Sequence, residues 1–199
     1  MQSVLFSLAM AGAGIVYTGR LVFPGLIWNL FLAWIPYALS KWMLANPAFT
    51  RNRWKMAAGF AGWILFVPNS FYILTDIFHL GEMHDVPLWY HLLLLVSFAW
   101  NGIVLGVLSV RHMEKIITSL LGREPGLAFL YPVMWLNALG VYIGRYWRYN
   151  SWDVVTNPFA LSRDIARMIF HPGEYMYAWG MVFSFSVFMA MIYKMVRKA

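Results

Sequence analysis

The sequence predicts an all-α membrane protein, a bundle of about six transmembrane helices with a short interfacial helix between the fifth and sixth. Three observations carry this. The 199 residues are 61% hydrophobic and only 12% charged, whereas a soluble domain carries roughly twice that share of charge. Apolar stretches long enough to cross a bilayer fill most of the chain. The Lys and Arg residues gather in the segments between those stretches, and most of these segments alternate from side to side.

The stretches are read in order. The first, Val4 to Tyr17, is short for a span, which takes roughly 20 residues. It has no basic residue before it and no clear cleavage site after it, so it is read as a span and not a leader. The second runs from Pro24 to Met43 and carries Trp28, Trp34 and Trp42. The third runs from Trp54 to Leu74 and continues as helix towards Leu80. The fourth runs from Leu88 to Val110, the fifth from Leu127 to Tyr146 and the sixth from Tyr175 to Val196. Pro36 and Pro68 fall inside spans, where neighbouring helices can satisfy the carbonyls they free. No separate soluble domain fits, so residues 1–199 are read as one integral membrane domain.

Charge orients the bundle. Lys41, Arg51, Arg53 and Lys55 lie between spans two and three. Arg111, Lys115 and Arg123 lie between four and five, and Lys194, Arg197 and Lys198 close the chain. These segments are expected on the cytoplasmic side of the inner membrane, with both termini. The loop from Gly81 to Pro87 has no Lys or Arg and is expected outside. Arg145, Arg148, Arg163 and Arg167 also fall outside and break the rule, either as tolerated statistical noise or because a task holds them there. Within that segment, Asn157-Pro158 followed by Ala160 to Phe170 reads as a helix lying along the interface.

Other classes are excluded or weakened. The chain has no cysteine, so disulfides, thiolate metal sites and cysteine nucleophiles are out. The net charge of +7 follows from basic loops beside a membrane. No basic helix or RNA-binding signature accompanies it, so no nucleic-acid partner is expected. No internal repeat points to an inverted-repeat transporter, and no Gly-x-Ser-x-Gly context supports a serine hydrolase. The Gly102-x-x-x-Gly106 and Gly140-x-x-x-Gly144 pairs allow close helix packing, with each other among the options. Asn101 with Ser97 one turn away, and Asn29 in span two, read as interhelical hydrogen-bonding groups. His112 and His171, at span ends, read as solvated.

Ionisable groups at membrane depth are costly and mark functional candidates. The stretch Pro68 to Asp85, PNSFYILTDIFHLGEMHD, is rich in them. At 100° per residue, Asn69, Tyr72, Asp76 and His79 form one slanting polar stripe. Glu82, His84 and Asp85 follow in the outer loop, and His91 opens span four. In span five, Asn137, Gly144 and Arg148 fall close to one line, and Tyr149, Asn150, Ser151, Trp152 and Asp153 come next. Both clusters are expected at the outer face. The catalytic candidates are Asp76, His79 and Glu82. The substrate-binding candidates are Asn69, Tyr72, Arg145, Arg148, Asn150 and Asp153.

Three chemistries fit these residues. Asp76, His79 and His84 could hold a divalent metal such as zinc or manganese, which would make a hydroxide nucleophile near neutral pH. Arg145 and Arg148 would then hold a lipid phosphate bidentately. That reading is a hydrolase or group transferase on a lipid or lipid-linked headgroup, or on another anionic small molecule. Alternatively the polar groups only lock helices together. In the third reading they line a path or pocket for a small solute or a proton.

The strings PNSFYILTDIFHL, SFAWNG and GRYWRYNSWD resemble a bacterial multi-span family catalogued as a domain of unknown function (DUF1361-like). The likeness covers nearly the whole chain. It implies an integral membrane protein and assigns no activity, ligand or catalytic residue.

Overall fold

The computed structural model describes residues 2–19, 24–80 and 85–198, and they form helices without any strand. All six expected spans are helical. They are α1 (Gln2–Thr18), α2 (Pro24–Ala45), α4 (Arg53–Tyr72), α5 (Leu88–Leu121), α6 (Leu127–Tyr142) and α9 (Met176–Lys198). Three shorter helices join them: α3 (Pro47–Arg51), α7 (Asp153–Thr156) and α8 (Pro158–Phe170). The last coincides with the expected interfacial helix.

Among the described residues, four helical runs are long and apolar enough to cross a bilayer: Arg53–His79, Leu88–Leu121, Leu127–Trp147 and Met176–Arg197. Gln2–Thr18 is apolar but shorter. The α2 helix has the length, but three Trp, Asn29, Pro36, Ser40 and Lys41 dilute its apolarity. The helix of the fourth span, α5, runs on to Leu121, beyond the expected end at Val110. Arg111 and Lys115 therefore sit on helix rather than in a loop, because nothing between Leu88 and Leu121 breaks a helix.

Internal contacts divide the chain into two compact units, Met1–Ile116 and Ile117–Ala199. In the first unit, Ala11 of α1, Leu26, Leu30 and Ala33 of α2, Ile73, and Leu94, Leu95, Phe98 and Ala99 of α5 share one buried cluster. Lipid tails are as apolar as these side chains, so close packing and interhelical hydrogen bonds must hold the helices together. Both are present. A Cβ on Gly102 would lie 2.5 Å from the Ser70 carbonyl oxygen, and one on Gly106 would lie 2.8 Å from the Phe71 ring. The glycine pair of α5 therefore seats the end of α4, a partner that the sequence does not name.

Hydroxyls and amides supply the second kind of contact. The Asn101 amide donates to the Ser7 hydroxyl at 2.8 Å and to the Ser3 carbonyl at 3.1 Å, tying α5 to α1. Ser7 and Ser97 join them at 2.9 Å. Pro36 lies inside α2 and lacks an N–H. Close to it, Ser70 donates to the Ala33 carbonyl at 3.1 Å, and Ser109 donates to the Pro36 carbonyl at 2.9 Å. The Trp63 indole N–H donates to Ser109 at 2.7 Å. His112 is half-buried, with Nδ1 3.3 Å from the Ser40 hydroxyl. The expectation that it is solvated is corrected, because α5 continues past it and keeps it against α2.

In the second unit α6 packs along α9. Trp135 stacks on Trp179 with centroids 5.9 Å apart. The Lys194 ammonium donates to the Tyr131 hydroxyl at 3.0 Å, and Arg197 pairs with Glu124 at 2.7 Å. The Trp179 indole donates to the Met168 carbonyl at 3.2 Å, which fastens α8 to α9.

Candidate functional site

Both polar segments singled out in the sequence leave α geometry. In the first unit α4 ends at Tyr72, and Ile73–His79 continues as a 3₁₀ helix. In the second, α6 ends at Tyr142, and Ile143–Trp147 forms a π-helical turn. Runs of 3₁₀ longer than three or four residues are uncommon, and π turns are rare and frequent at functional sites.

The 3₁₀ segment changes what the stripe can do. Three residues make a full turn there and rise about 6 Å, so Asp76 and His79 lie one above the other. Burial differs from residue to residue along the stripe. Asn69 and Tyr72 are half-buried and His79 is exposed. Asp76 is only 6% exposed. Its Oδ2 accepts a hydrogen bond from the Asn29 amide of α2 at 3.0 Å. Asn69 donates back to the Phe66 carbonyl at 3.0 Å. Thr75, fully buried, donates to the Tyr72 carbonyl at 2.7 Å. That carbonyl lies where α4 passes into 3₁₀ geometry. The sequence suggested Asn29 as an interhelical group but gave no means of pairing it with Asp76, since the two are 47 positions apart.

Glu82 and His84 lie outside the described residues. Among the described residues no three His, Asp or Glu side chains gather as a metal site would require. The Asn29 N–H occupies one carboxylate oxygen of Asp76, Oδ2, and His79 is exposed where Asp76 is buried.

In the second unit the π turn carries Arg145, half-buried, and is followed by Arg148, exposed. Arg148 adopts φ 59°, and it is the only non-glycine residue with positive φ among the described residues. That left-handed conformation costs a β-carbon-bearing residue on the order of 1–3 kcal/mol. The α-helical line through Asn137, Gly144 and Arg148 is interrupted here. Asn137 is buried, while Arg148 is turned out by its backbone. Asn137 donates to the Val133 carbonyl at 2.9 Å. Aromatic rings surround the break. Tyr142 stacks on Tyr146, and Trp147 meets both Tyr142 and Tyr175 edge-on.

Asn150 and Asp153 shape the turn that follows. The Asn150 backbone N–H donates to Asp153 Oδ2 at 2.6 Å, and the Thr156 hydroxyl donates to Oδ1 at 2.9 Å. The backbone N–H foremost, then Thr156, holds the Asp153 carboxyl below its usual value of 3.8. A depressed folded value gives stability above the unfolded range that is lost as pH falls through the folded one. The Asn150 amide is therefore expected to lose protection against hydrogen exchange, measured against the intrinsic rate at each pH, as pH falls through the folded-state value of Asp153. Asp153→Asn should show that reduced protection at every pH. Tyr149 donates to Asp164 of α8 at 2.8 Å. This bond to a carboxylate pushes the phenol's pKa up, so Tyr149 remains a donor near neutral pH.

The fold and these two broken helices define an integral membrane protein with polar segments at the ends of its spans. A family model described as "Protein of unknown function (DUF1361)" matches residues 28–192, and the chain belongs to that family. No curated protein and no solved structure matches it.

Proposed function

We propose that this membrane protein binds the headgroup of a lipid or lipid-linked molecule on the extracytoplasmic side of the bacterial inner membrane and acts on it as a hydrolase or group transferase. The observation that supports the reading is the coincidence of chemistry with broken geometry. The two segments that carry candidate acids, bases and guanidiniums are the two places where a span stops being α-helix. Irregular backbone at membrane depth is tolerated where it is buried in protein or lines a cavity, and backbone strain tends to persist where it serves a site. In this reading Asp76 and His79, with Glu82, supply the acid and base groups. Asn69 and Tyr72 contact the ligand beside them; within the second unit, Arg145 and Arg148 are the groups suited to a phosphate through paired N–H donors. Asn150 and Asp153 hold the turn that presents Arg148.

The other form of this reading places a divalent metal such as zinc or manganese at Asp76, His79 and His84. Elemental analysis decides between the two: a stoichiometric metal lost on Asp76→Ala and His79→Ala puts the chemistry on a metal centre, and zinc and manganese well below one equivalent leave it to acid–base groups. A C-terminal reporter should register on the cytoplasmic side, and a periplasmic signal would overturn the assigned face. The binding claim is tested by native mass spectrometry of the purified protein. One anionic lipid or lipid-linked molecule should remain attached, and Arg145→Gln and Arg148→Gly should each lose it. Arg148→Gly suits this test because glycine accepts positive φ without strain. Retention by both variants would remove the guanidiniums from the site.

A second reading has one observation in its favour. The Asn29–Asp76 hydrogen bond is what a polar helix lock would use, and the two roles are separated in the Discussion.

A further inference from the structure

The α8 helix has two unlike faces. Leu161 and Met168 are buried, and Asp164 turns inward to accept from Tyr149. The opposite face carries Phe159, Arg163, Ala166, Arg167 and Phe170, which fall within about 100° of one another at 100° per residue. The two phenyl groups lie roughly 16 Å apart along the axis at 1.5 Å per residue. They are 84% and 78% exposed. Arg163 and Arg167 are also exposed. Neither guanidinium makes a hydrogen bond or ion pair among the described residues.

Two features of this face call for a partner. Like charges four apart on a helix repel, and the one acid of α8, Asp164, is engaged by the Tyr149 hydroxyl at 2.8 Å. Moving phenyl groups this exposed from water into the adjacent acyl layer removes apolar area from water, which is favourable. The helix lies between the end of one apolar run at Trp147 and the start of another at Met176, so the bilayer surface is within its reach.

We infer that the outer face of α8 docks on the bilayer surface and binds the phosphates of anionic phospholipids through Arg163 and Arg167. Phe159 and Phe170 enter the acyl boundary at either end of the helix. The guanidiniums between them meet phosphate oxygens at headgroup level, with their methylene stems in contact with the apolar layer. Fork-shaped guanidiniums match phosphate oxygens better than ammonium groups do. A zwitterionic headgroup offers the same phosphate with a cation attached, so the arginine pair favours the anionic one. This inference does not rest on the reading of Asp76, His79, Arg145 and Arg148 given above.

The chain has no cysteine, so Ser162→Cys on the exposed side of α8 places a single bimane probe. The labelled full-length protein is reconstituted in vesicles of brominated phosphatidylcholine, with or without phosphatidylglycerol. Bromine should quench the probe in both. Phosphatidylglycerol should raise the quenching at least twofold, and high salt should reverse that increase. Arg163→Gln/Arg167→Gln should lose the phosphatidylglycerol increment, while Arg51→Gln keeps it. Glycerol phosphate at millimolar concentration should not compete. Absence of quenching would show that the face looks into water. Equal quenching with and without phosphatidylglycerol would show apolar docking without phosphate recognition. Competition by glycerol phosphate would show a site for a free anion instead of a lipid surface.

Discussion

Gly102→Ala is expected to destabilise the first unit by about 2–3 kcal/mol, and Gly102→Leu to prevent its folding. Overpacking a close-packed site costs typically about 1–3 kcal/mol, more when the obstacle cannot move. Here the obstacle is backbone. The new methyl would stand 2.5 Å from the Ser70 carbonyl oxygen and 3.1 Å from the Ile73 side chain. Ser70 is itself held, because its hydroxyl donates to the Ala33 carbonyl of α2. Displacing it would disturb the entry to the 3₁₀ segment as well as the α2–α4 contact. Gly62→Ala is the control, since the nearest atom there is the Leu39 side chain at 3.8 Å. Thermal unfolding in detergent reads the comparison. Equal melting temperatures for the two alanine variants would refute the close approach of α4 and α5.

Asp76→Ala is expected to cost about 2 kcal/mol, because it leaves the half-buried Asn29 amide without its Asp76 acceptor. Asp76→Asn should cost less, since a carboxamide oxygen can still accept from Asn29. The double variant Asn29→Ala/Asp76→Ala should recover part of the loss, with a coupling of roughly 1 kcal/mol. The same three proteins separate the helix lock from the chemistry. A lock predicts that stability and function fall together and that Asp76→Asn preserves both. The proposed acid–base role predicts that Asp76→Asn keeps most of its stability and loses activity. Additive losses from the single variants would show that the 3.0 Å contact carries little energy.

The sequence revealed the helices more readily than the site. Span positions follow from apolar runs, and the observed ends differ from the expected ones where caps are weak. The Leu88–Leu121 helix shows this, since its basic residues looked like loop but contain no breaker. The α8 helix was legible because Asn157-Pro158 marks its start; which of its residues face inward was not, since its apolar residues lie on both sides. The 3₁₀ and π segments were not legible. Their hydrogen-bond patterns depend on packing against other helices, while the residue pattern of Ile73–His79 is compatible with a plain α-helix. For the same reason the sequence set Asn69, Tyr72, Asp76 and His79 on one stripe, whereas their burial varies from hidden to exposed. The Asn29 partner of Asp76 and the Ser70 seat of Gly102 are tertiary facts with no local signal. Arg148 in left-handed conformation likewise has no signal, since arginine shows no preference for that region.

The central claim is that the broken ends of these spans act on a lipid-type headgroup, and turnover tests it most directly. The purified protein is reconstituted in vesicles of a bacterial polar lipid extract, and headgroup composition is followed over time by mass spectrometry. Wild type should deplete one headgroup class. His79→Gln should do so at least about a hundredfold more slowly, the usual effect of losing an acid–base group. Arg148→Gly should fold normally and be similarly slow. A headgroup composition that stays constant with wild-type protein, or falls at the same rate with His79→Gln, would contradict the account.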